Sequence, residues 1–356
     1  MKNRLEQLLA GLPEDLDGVY ITSHENRFYY TGFPSSAGTL LITRAGSVFF
    51  IDSRYFEAAQ NCVTDCDVVL QKKLMEQIRR FCSSKEIRRI AVEARRMVYA
   101  DVEQLREKLS GIEIVADNRA DDCIEKQRII KSVQEVEYIR QAQQIAEQAF
   151  EELLPVIRPG ITEREIALKL EYSMLSKGAQ AISFETIAVS GANSSMPHGV
   201  PTEKKVENGD FITMDFGAVY KGYHSDMTRT VAVGKVSEKQ KLVYQTVLAA
   251  QQAAIDAAAA GVSCAAVDAA ARDIISAAGY GEFFRHSTGH GVGIEIHEAP
   301  NLSPGTAVVL KAGMIVTAEP GIYLPGEFGV RIEDMLLITG DGAENLTKAP
   351  KELLVL

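Results

Sequence analysis

The stretch from Gly209 to Val231, GDFITMDFGAVYKGYHSDMTRTV, admits few conformations. Two runs rich in β-branched and aromatic residues flank Lys221-Gly222, so the stretch is expected to fold back on itself as a β-hairpin. With those two residues at the turn, Asp226 falls opposite Gly217, two residues from Asp215. The alternation of a strand then sets both carboxylates on one face as diagonal neighbours, roughly 7–8 Å apart at the backbone, where their side chains can share a cation. A register slip of one residue would send them to opposite faces. The plain alternative is a pair of aspartates on a solvated hairpin face.

Other acids and imidazoles narrow the choice. The chain has 6 histidines, and three of them, His286, His290 and His297, lie within the short glycine-punctuated run RHSTGHGVGIEIHEAP. His286 and His290 are four residues apart, so an extended strand would present both on one face. The glycines at 289, 291 and 293 allow backbone or ligand to approach closely. Glu319 and Glu333 each sit inside an apolar run, where an unpaired carboxylate is costly. For Glu333 the simplest partner is Arg331, two residues away on the same face. Taken together, four carboxylates and one imidazole make an oxygen-rich cage able to bridge two divalent ions, which in hydrolases sit about 3.5–4 Å apart.

Composition sets the bounds. A chain of 356 residues, 46% hydrophobic and 24% charged, is long enough for two folded domains. The formal net charge of −10 and the lack of a basic stripe argue against a nucleic-acid partner. An acidic surface suits cation capture, and a merely solvated surface explains the excess equally well. Met1 to Asp17 carries charges throughout and lacks the apolar stretch of a signal peptide, and no run is apolar enough to span a membrane; a cytoplasmic location is expected. The cysteines, Cys62, Cys66, Cys82, Cys123 and Cys264, form no CxxC pair and read as reduced thiols outside every motif.

Along the chain, residues 18–52 read as a small sheet, with helical spacing near 57–59, 73–81 and 100–109 and further strands at RRIAVEA and IEIVAD, so the first domain is α/β. Ser132-Val-Gln-Glu135, Thr162-Glu-Arg-Glu165 and Ser237-Glu-Lys-Gln240 are capping boxes that open three helices; a fourth is expected over 264–278. Strand-like runs at 183–189, 210–218, 223–233, 292–297, 314–318 and 330–338 alternate with them, giving an α+β second domain. The boundary is placed so that residues 1–124 form one domain and 125–356 the other.

The motifs MDFG, SDMTRT, STGHGVG, IHEAP, TAEPGIY and GVRIED, together with MPHGVP at 196–201, resemble those of the pita-bread metallopeptidases, the family of methionine aminopeptidase, aminopeptidase P, prolidase and the metal-free relative creatinase. The likeness covers roughly residues 125 to 356, and NRFYYTGF at 26–33 resembles the creatinase-type domain that precedes the catalytic domain in aminopeptidase P and prolidase.

That resemblance implies an α+β pita-bread catalytic domain behind a smaller α/β domain, and hydrolysis of Xaa-Pro bonds at peptide N-termini or in dipeptides. It implies two divalent ions, Mn²⁺ foremost with Co²⁺ or Zn²⁺ as alternatives, held by Asp215, Asp226, His290, Glu319 and Glu333. Glu319 would also act in catalysis beside His198, His297 and Arg331, with His286 and Tyr323 facing substrate. A homodimer acting on proline-containing peptides, without nucleic-acid or membrane partners, is implied as well. Asn301 stands where prolidase-like members often carry an arginine for the dipeptide carboxylate, which favours a broad Xaa-Pro peptidase. The rival readings are a non-catalytic pita-bread binding protein and a metallopeptidase of other specificity.

Overall fold

The computed structural model describes residues 3–356. Two compact units divide the chain, one ending at Arg128 and the other running Ile129–Leu356. The helix Arg119–Arg128 spans the position at which the sequence places its boundary.

The first unit is built on a six-stranded mixed sheet in the order Asp67–Leu70, Gly46–Ile51, Thr39–Thr43, Gly18–Ile21, Arg89–Val92, Glu113–Val115. Its apolar face packs Tyr20, Leu41, Phe50, Ile90 and Val92 against Ile78, Cys82, Val102 and Leu105 from two helices. The stretch 18–52 is not all sheet. His24–Thr31 is a helix, capped by the Ser23 side chain at its start and by Gly32 in the left-handed conformation at its end. Its aromatic residues suit strands by propensity, and two good caps together with burial of Tyr29 and Tyr30 outweigh that preference.

In the second unit each of two helix pairs backs a sheet. Val133–Leu153 and Glu163–Ser176 bury Ile145, Phe150, Leu170 and Met174 against Ile212, Met214, Phe216 and Met227. Glu238–Ala257 and Cys264–Ala277 do the same with Val243, Val247, Val267 and Ile275 against Val316, Ala318 and Leu336. All three predicted capping boxes form, at Ser132, Thr162 and Ser237, each pairing side chain and backbone reciprocally. Removing such a cap costs about 1 kcal/mol. The first sheet has the order Met227–Ala232, Phe211–Phe216, Ile187–Ser190; the second runs Glu298–Leu302, Gly289–Gly291, Ile315–Ala318, Asp334–Ile338, Ala343–Asn345.

The hairpin register is the expected one. Tyr220 faces Tyr223, Thr228 faces Asp215 and Met227 faces Phe216. Lys221 and Gly222 both take positive φ, 52° and 77°, as a two-residue reverse turn requires. Two other expectations change. Residues 292–297 are not a strand; the ladder shifts register after His290, and the chain loops before pairing again at Glu298–Leu302. Glycine is needed there, because a Cβ on Gly291 would lie 2.2 Å from the Ala299 carbonyl oxygen. The run 330–338 also breaks, at Ile332-Glu333, between the strands Phe328–Arg331 and Asp334–Ile338. No helix among the described residues is long and apolar enough to cross a membrane.

Candidate active site

The two sheets backed by the helix pairs contribute to a cavity of about 840 Å³ in the second unit. Asp215, Asp226, His290, Glu319 and Glu333 all line it, as do His198, His286, His297 and Arg331. Asp215 is the penultimate residue of the strand Phe211–Phe216, and Asp226 immediately precedes the strand Met227–Ala232. His290 is the centre of the short strand Gly289–Gly291, Glu319 follows the strand Ile315–Ala318, and Glu333 occupies the break after Arg331. His286 reaches the cavity from the loop before that short strand, so the two histidines do not share a strand face as the sequence suggests.

Asp226, His290 and Glu333 each offer one ligand atom, and these atoms lie within 4.8 Å of one another. His290 Nε2 is 3.5 Å from Asp226 Oδ2 and 3.3 Å from Glu319 Oε1. Its Nδ1 donates to the Gly291 carbonyl at 3.1 Å, which leaves Nε2 as an unprotonated acceptor aimed at the carboxylates. Burial holds the imidazole below its ordinary pKa, consistent with a neutral ring.

The carboxylates are crowded. Burial, then the charges of Glu333, Asp215 and Glu319, pushes Asp226 well above the usual range. Burial, then Glu319 and Asp215, does the same to Glu333. Glu319 is pushed up to about 8, first by burial, with Asp215 adding to the rise. Asp215 Oδ1, Asp226 Oδ1 and Glu333 Oε1 are buried and have no hydrogen-bond partner among the described residues. Orphaned oxygens beside a neutral imidazole are what a divalent cation satisfies, so the donor set fits hard or borderline ions.

Supporting groups come from residues the sequence did not single out. Thr228 Oγ1 donates to Glu333 Oε2 at 2.7 Å. Thr317 Oγ1 donates to Glu319 Oε1 at 3.1 Å while accepting from the His290 backbone N–H at 3.0 Å. Both threonines are fully buried in strands, and a hydroxyl inside an apolar strand run was the available signal. Arg331 pairs not with Glu333 but with Asp215, through Nη2 at 2.6 Å. Its Nε donates to Thr228 and its Nη1 to the Pro197 carbonyl and Tyr323 Oη. Tyr323 Oη in turn lies 2.9 Å from His286 Nε2, and His286 Nδ1 is 2.8 Å from the Ser287 carbonyl, a directed chain that holds His286 neutral. Burial, aided by Arg331, lowers the His286 pKa to about 4. The His297 ring sits edge-on to His290 with centroids 4.4 Å apart. Tyr323 touches the site through these bonds and does not itself line the cavity.

A bilayered fold of this kind with a buried acid-and-imidazole cluster defines a metal-dependent hydrolase. Residues 137–340 match metallopeptidase family M24, residues 4–130 match the creatinase/prolidase N-terminal domain, and the chain belongs to that metallopeptidase family. Its catalytic unit is therefore a pita-bread domain preceded by a creatinase-type domain. The chain is 41% identical over 356 residues to the Xaa-Pro dipeptidase of Pyrococcus furiosus, covering 99% of this chain and 100% of that one. Its fold superposes with a TM-score of 0.95 on the Xaa-Pro dipeptidase from Bacillus anthracis, at 41% identity and 99% coverage of both chains. The X-Pro aminopeptidase from Thermotoga maritima gives a TM-score of 0.92 at 36% identity, covering 99% of this chain and 100% of that one.

Proposed function

We propose that this protein hydrolyses the bond preceding proline in Xaa-Pro peptides, with Asp215, Asp226, His290, Glu319 and Glu333 holding two divalent ions, Mn²⁺ foremost. The observation that carries the reading is one cavity lined by His290 and by three carboxylates, Asp215, Asp226 and Glu333, each with a buried oxygen that has no hydrogen-bond partner among the described residues, where ligand atoms of Asp226, His290 and Glu333 lie within 4.8 Å of one another. Relatives named as Xaa-Pro dipeptidases and an X-Pro aminopeptidase supply the substrate class. When bound, such ions supply Lewis acidity that activates water and polarises a carbonyl.

The chain's own groups do the rest. Glu319 accepts the proton of the attacking water. His198 and His297 face the cavity and donate hydrogen bonds as negative charge grows on the carbonyl oxygen. Arg331 pairs with Asp215 and orients it. A prolyl imide offers no N–H, so the ring is recognised by shape, against Phe184, Ile187, Val200 and Pro201. Among the described residues, Arg331 is the one arginine or lysine lining the cavity, and it is already paired with Asp215 and bonded to Tyr323, Thr228 and Pro197. That supports peptides extending beyond proline as substrates in addition to dipeptides. A cytoplasmic homodimer accompanies this reading, and light scattering of the purified protein tests the dimer.

The decisive test is a panel of Xaa-Pro dipeptides, Xaa-Pro-Xaa tripeptides and proline-free controls, assayed with Mn²⁺ and with a chelator. Cleavage confined to proline peptides and abolished by chelation is expected; cleavage that survives chelation overturns the two-ion mechanism. A second measurement addresses the supporting threonine. Thr317→Val removes the hydroxyl shared by His290 and Glu319 without changing side-chain shape. Loss of a group that orients a ligand weakens metal binding by roughly 10–100-fold, so titration against a metal-binding dye is expected to show at least the lower end of that range. Unchanged affinity would remove Thr317 from the site.

A further inference from the structure

Helix Glu163–Ser176 begins with a glutamate that is fully buried although it is the first helical residue. Its carboxylate accepts six hydrogen bonds. Oε1 takes the Ser190 backbone N–H at 2.7 Å, Ser190 Oγ at 3.0 Å and Asn193 Nδ2 at 3.1 Å. Oε2 takes the Thr202 backbone N–H at 3.0 Å, Thr202 Oγ1 at 2.7 Å and Asn193 Nδ2 at 3.2 Å. All these donors are neutral, and a buried carboxylate needs such saturation to be tolerated. The helix reciprocates: the backbone N–H groups of Glu163 and Arg164 donate to the carbonyls of Lys204 and Thr202. One carboxylate thus clamps together Ser190 and Thr202, the two ends of a short segment of chain.

What lies between them is the segment that carries His198. Its tip is exposed, with Met196 at 50% and Val200 at 72%, and His198 is exposed as well. The segment is not slack chain. Met196 N–H donates to the Asn193 carbonyl and Gly199 N–H to the Met196 carbonyl, at 3.1 and 3.0 Å. Arg331 Nη1 holds the Pro197 carbonyl at 3.2 Å, and Gly329 N–H donates to Ser194 Oγ at 2.9 Å. An exposed imidazole on a tight projecting loop is aimed by its anchors, and Glu163 makes the ones at both ends of the segment.

We propose that Glu163 is a positioning residue for the reaction, acting through the Ser190–Thr202 segment to hold His198 over the cavity. The inference rests on the reading that His198 contacts substrate. None of the donors to Glu163 belongs to a residue assigned to metal, so the effect on the metal ions is expected to be nil.

The test is a double-mutant cycle on the full chain saturated with Mn²⁺, using Glu163→Gln, His198→Ala and the double variant on one Xaa-Pro peptide. Glutamine keeps the shape but turns one acceptor into an amide that faces the N–H donors. Misplacing a positioned group by about 1 Å costs up to 10²-fold, so Glu163→Gln is expected to lower kcat by roughly tenfold or more, with Mn²⁺ affinity unchanged. In the His198→Ala background the same change is expected to cost less than about twofold, because the group being positioned is gone. The His198 ring resonances of labelled, metal-free protein are expected to broaden in Glu163→Gln. Losses that multiply in the double variant, with sharp His198 resonances, overturn the positioning role while leaving His198 in place. Full activity in His198→Ala overturns the reading of His198 and the inference with it. If Glu163→Gln does not fold, Thr202→Val, which removes one of the six hydrogen bonds, enters the same cycle and is judged by the same non-additivity.

Discussion

Asp226→Asn is expected to abolish peptide hydrolysis, lowering kcat by on the order of 10³-fold or more, without lowering the melting temperature of the metal-free protein. The two halves of that result have one cause. Asp226 is buried, one of its oxygens has no partner, and its neighbours are Glu333, Asp215 and Glu319. Asparagine preserves the shape and removes a negative charge that the metal-free fold accommodates poorly, so the fold does not suffer and is expected to gain stability. The same charge is what Asp226 would need to hold divalent cations, for which an amide oxygen would be a weaker ligand. Metal content per chain, measured after dialysis, is expected to fall in parallel with turnover. A variant that keeps full activity and full metal content would sink the assignment of Asp226, and a variant that unfolds would sink the claim that its charge is a burden to the empty fold.

Much of this arrangement was legible beforehand, and the reasons differ by element. The hairpin register followed from a single turn, because Lys221-Gly222 fixes which residues face each other and the alternation of strands does the rest. The three capping boxes were readable because each is a local exchange between residues three apart. The loop at 292–297 was not, since its apolar spacing imitates a strand. What breaks the strand is the close approach of Gly291 to Ala299 and of Gly293 to Glu298, contacts between chain segments that no local pattern reveals. The convergence of His286 with the cluster was anticipated for the wrong geometric reason: a loop delivers it, locked by Tyr323. The choice made by Arg331 shows the limit most clearly. Sequence proximity pointed to Glu333, yet the pleat and the break at Ile332-Glu333 turn the guanidinium to Asp215 on another strand, and Thr228 takes Glu333 instead. Glu163 carried no signal beyond its place in a capping box, because its six hydrogen bonds come from residues 27 to 39 positions downstream.

Stripping the divalent ions is expected to give a protein that becomes less stable as pH rises from about 5 to about 8, the reverse of the usual behaviour of buried, salt-bridged acids. In the empty site Glu319 is raised from 4.5 to about 8, and Asp226 and Glu333 are raised in the same direction. Below the unfolded pKa these carboxyls are protonated in folded and unfolded chains alike, and burial carries no charge penalty. Above it the unfolded chain releases its protons while the folded chain retains them, so each further unit of pH favours unfolding by up to about 1.4 kcal/mol per retained proton until the folded pKa is passed. Several kcal/mol across the window corresponds to a fall of roughly 10 °C in melting temperature for a unit of this size. Bound cations invert the slope. Ligation requires the deprotonated carboxylates and the neutral His290, so affinity grows with pH, and saturation at 100 times Kd adds about 2.7 kcal/mol per site. Melting curves with chelator and with excess Mn²⁺ are therefore expected to lie close together near pH 5 and to separate steadily towards pH 8. Parallel curves across that range, or a metal-free protein that gains stability with pH, would show that these carboxylates do not share one charge-deficient cavity, and the two-ion site would go with them.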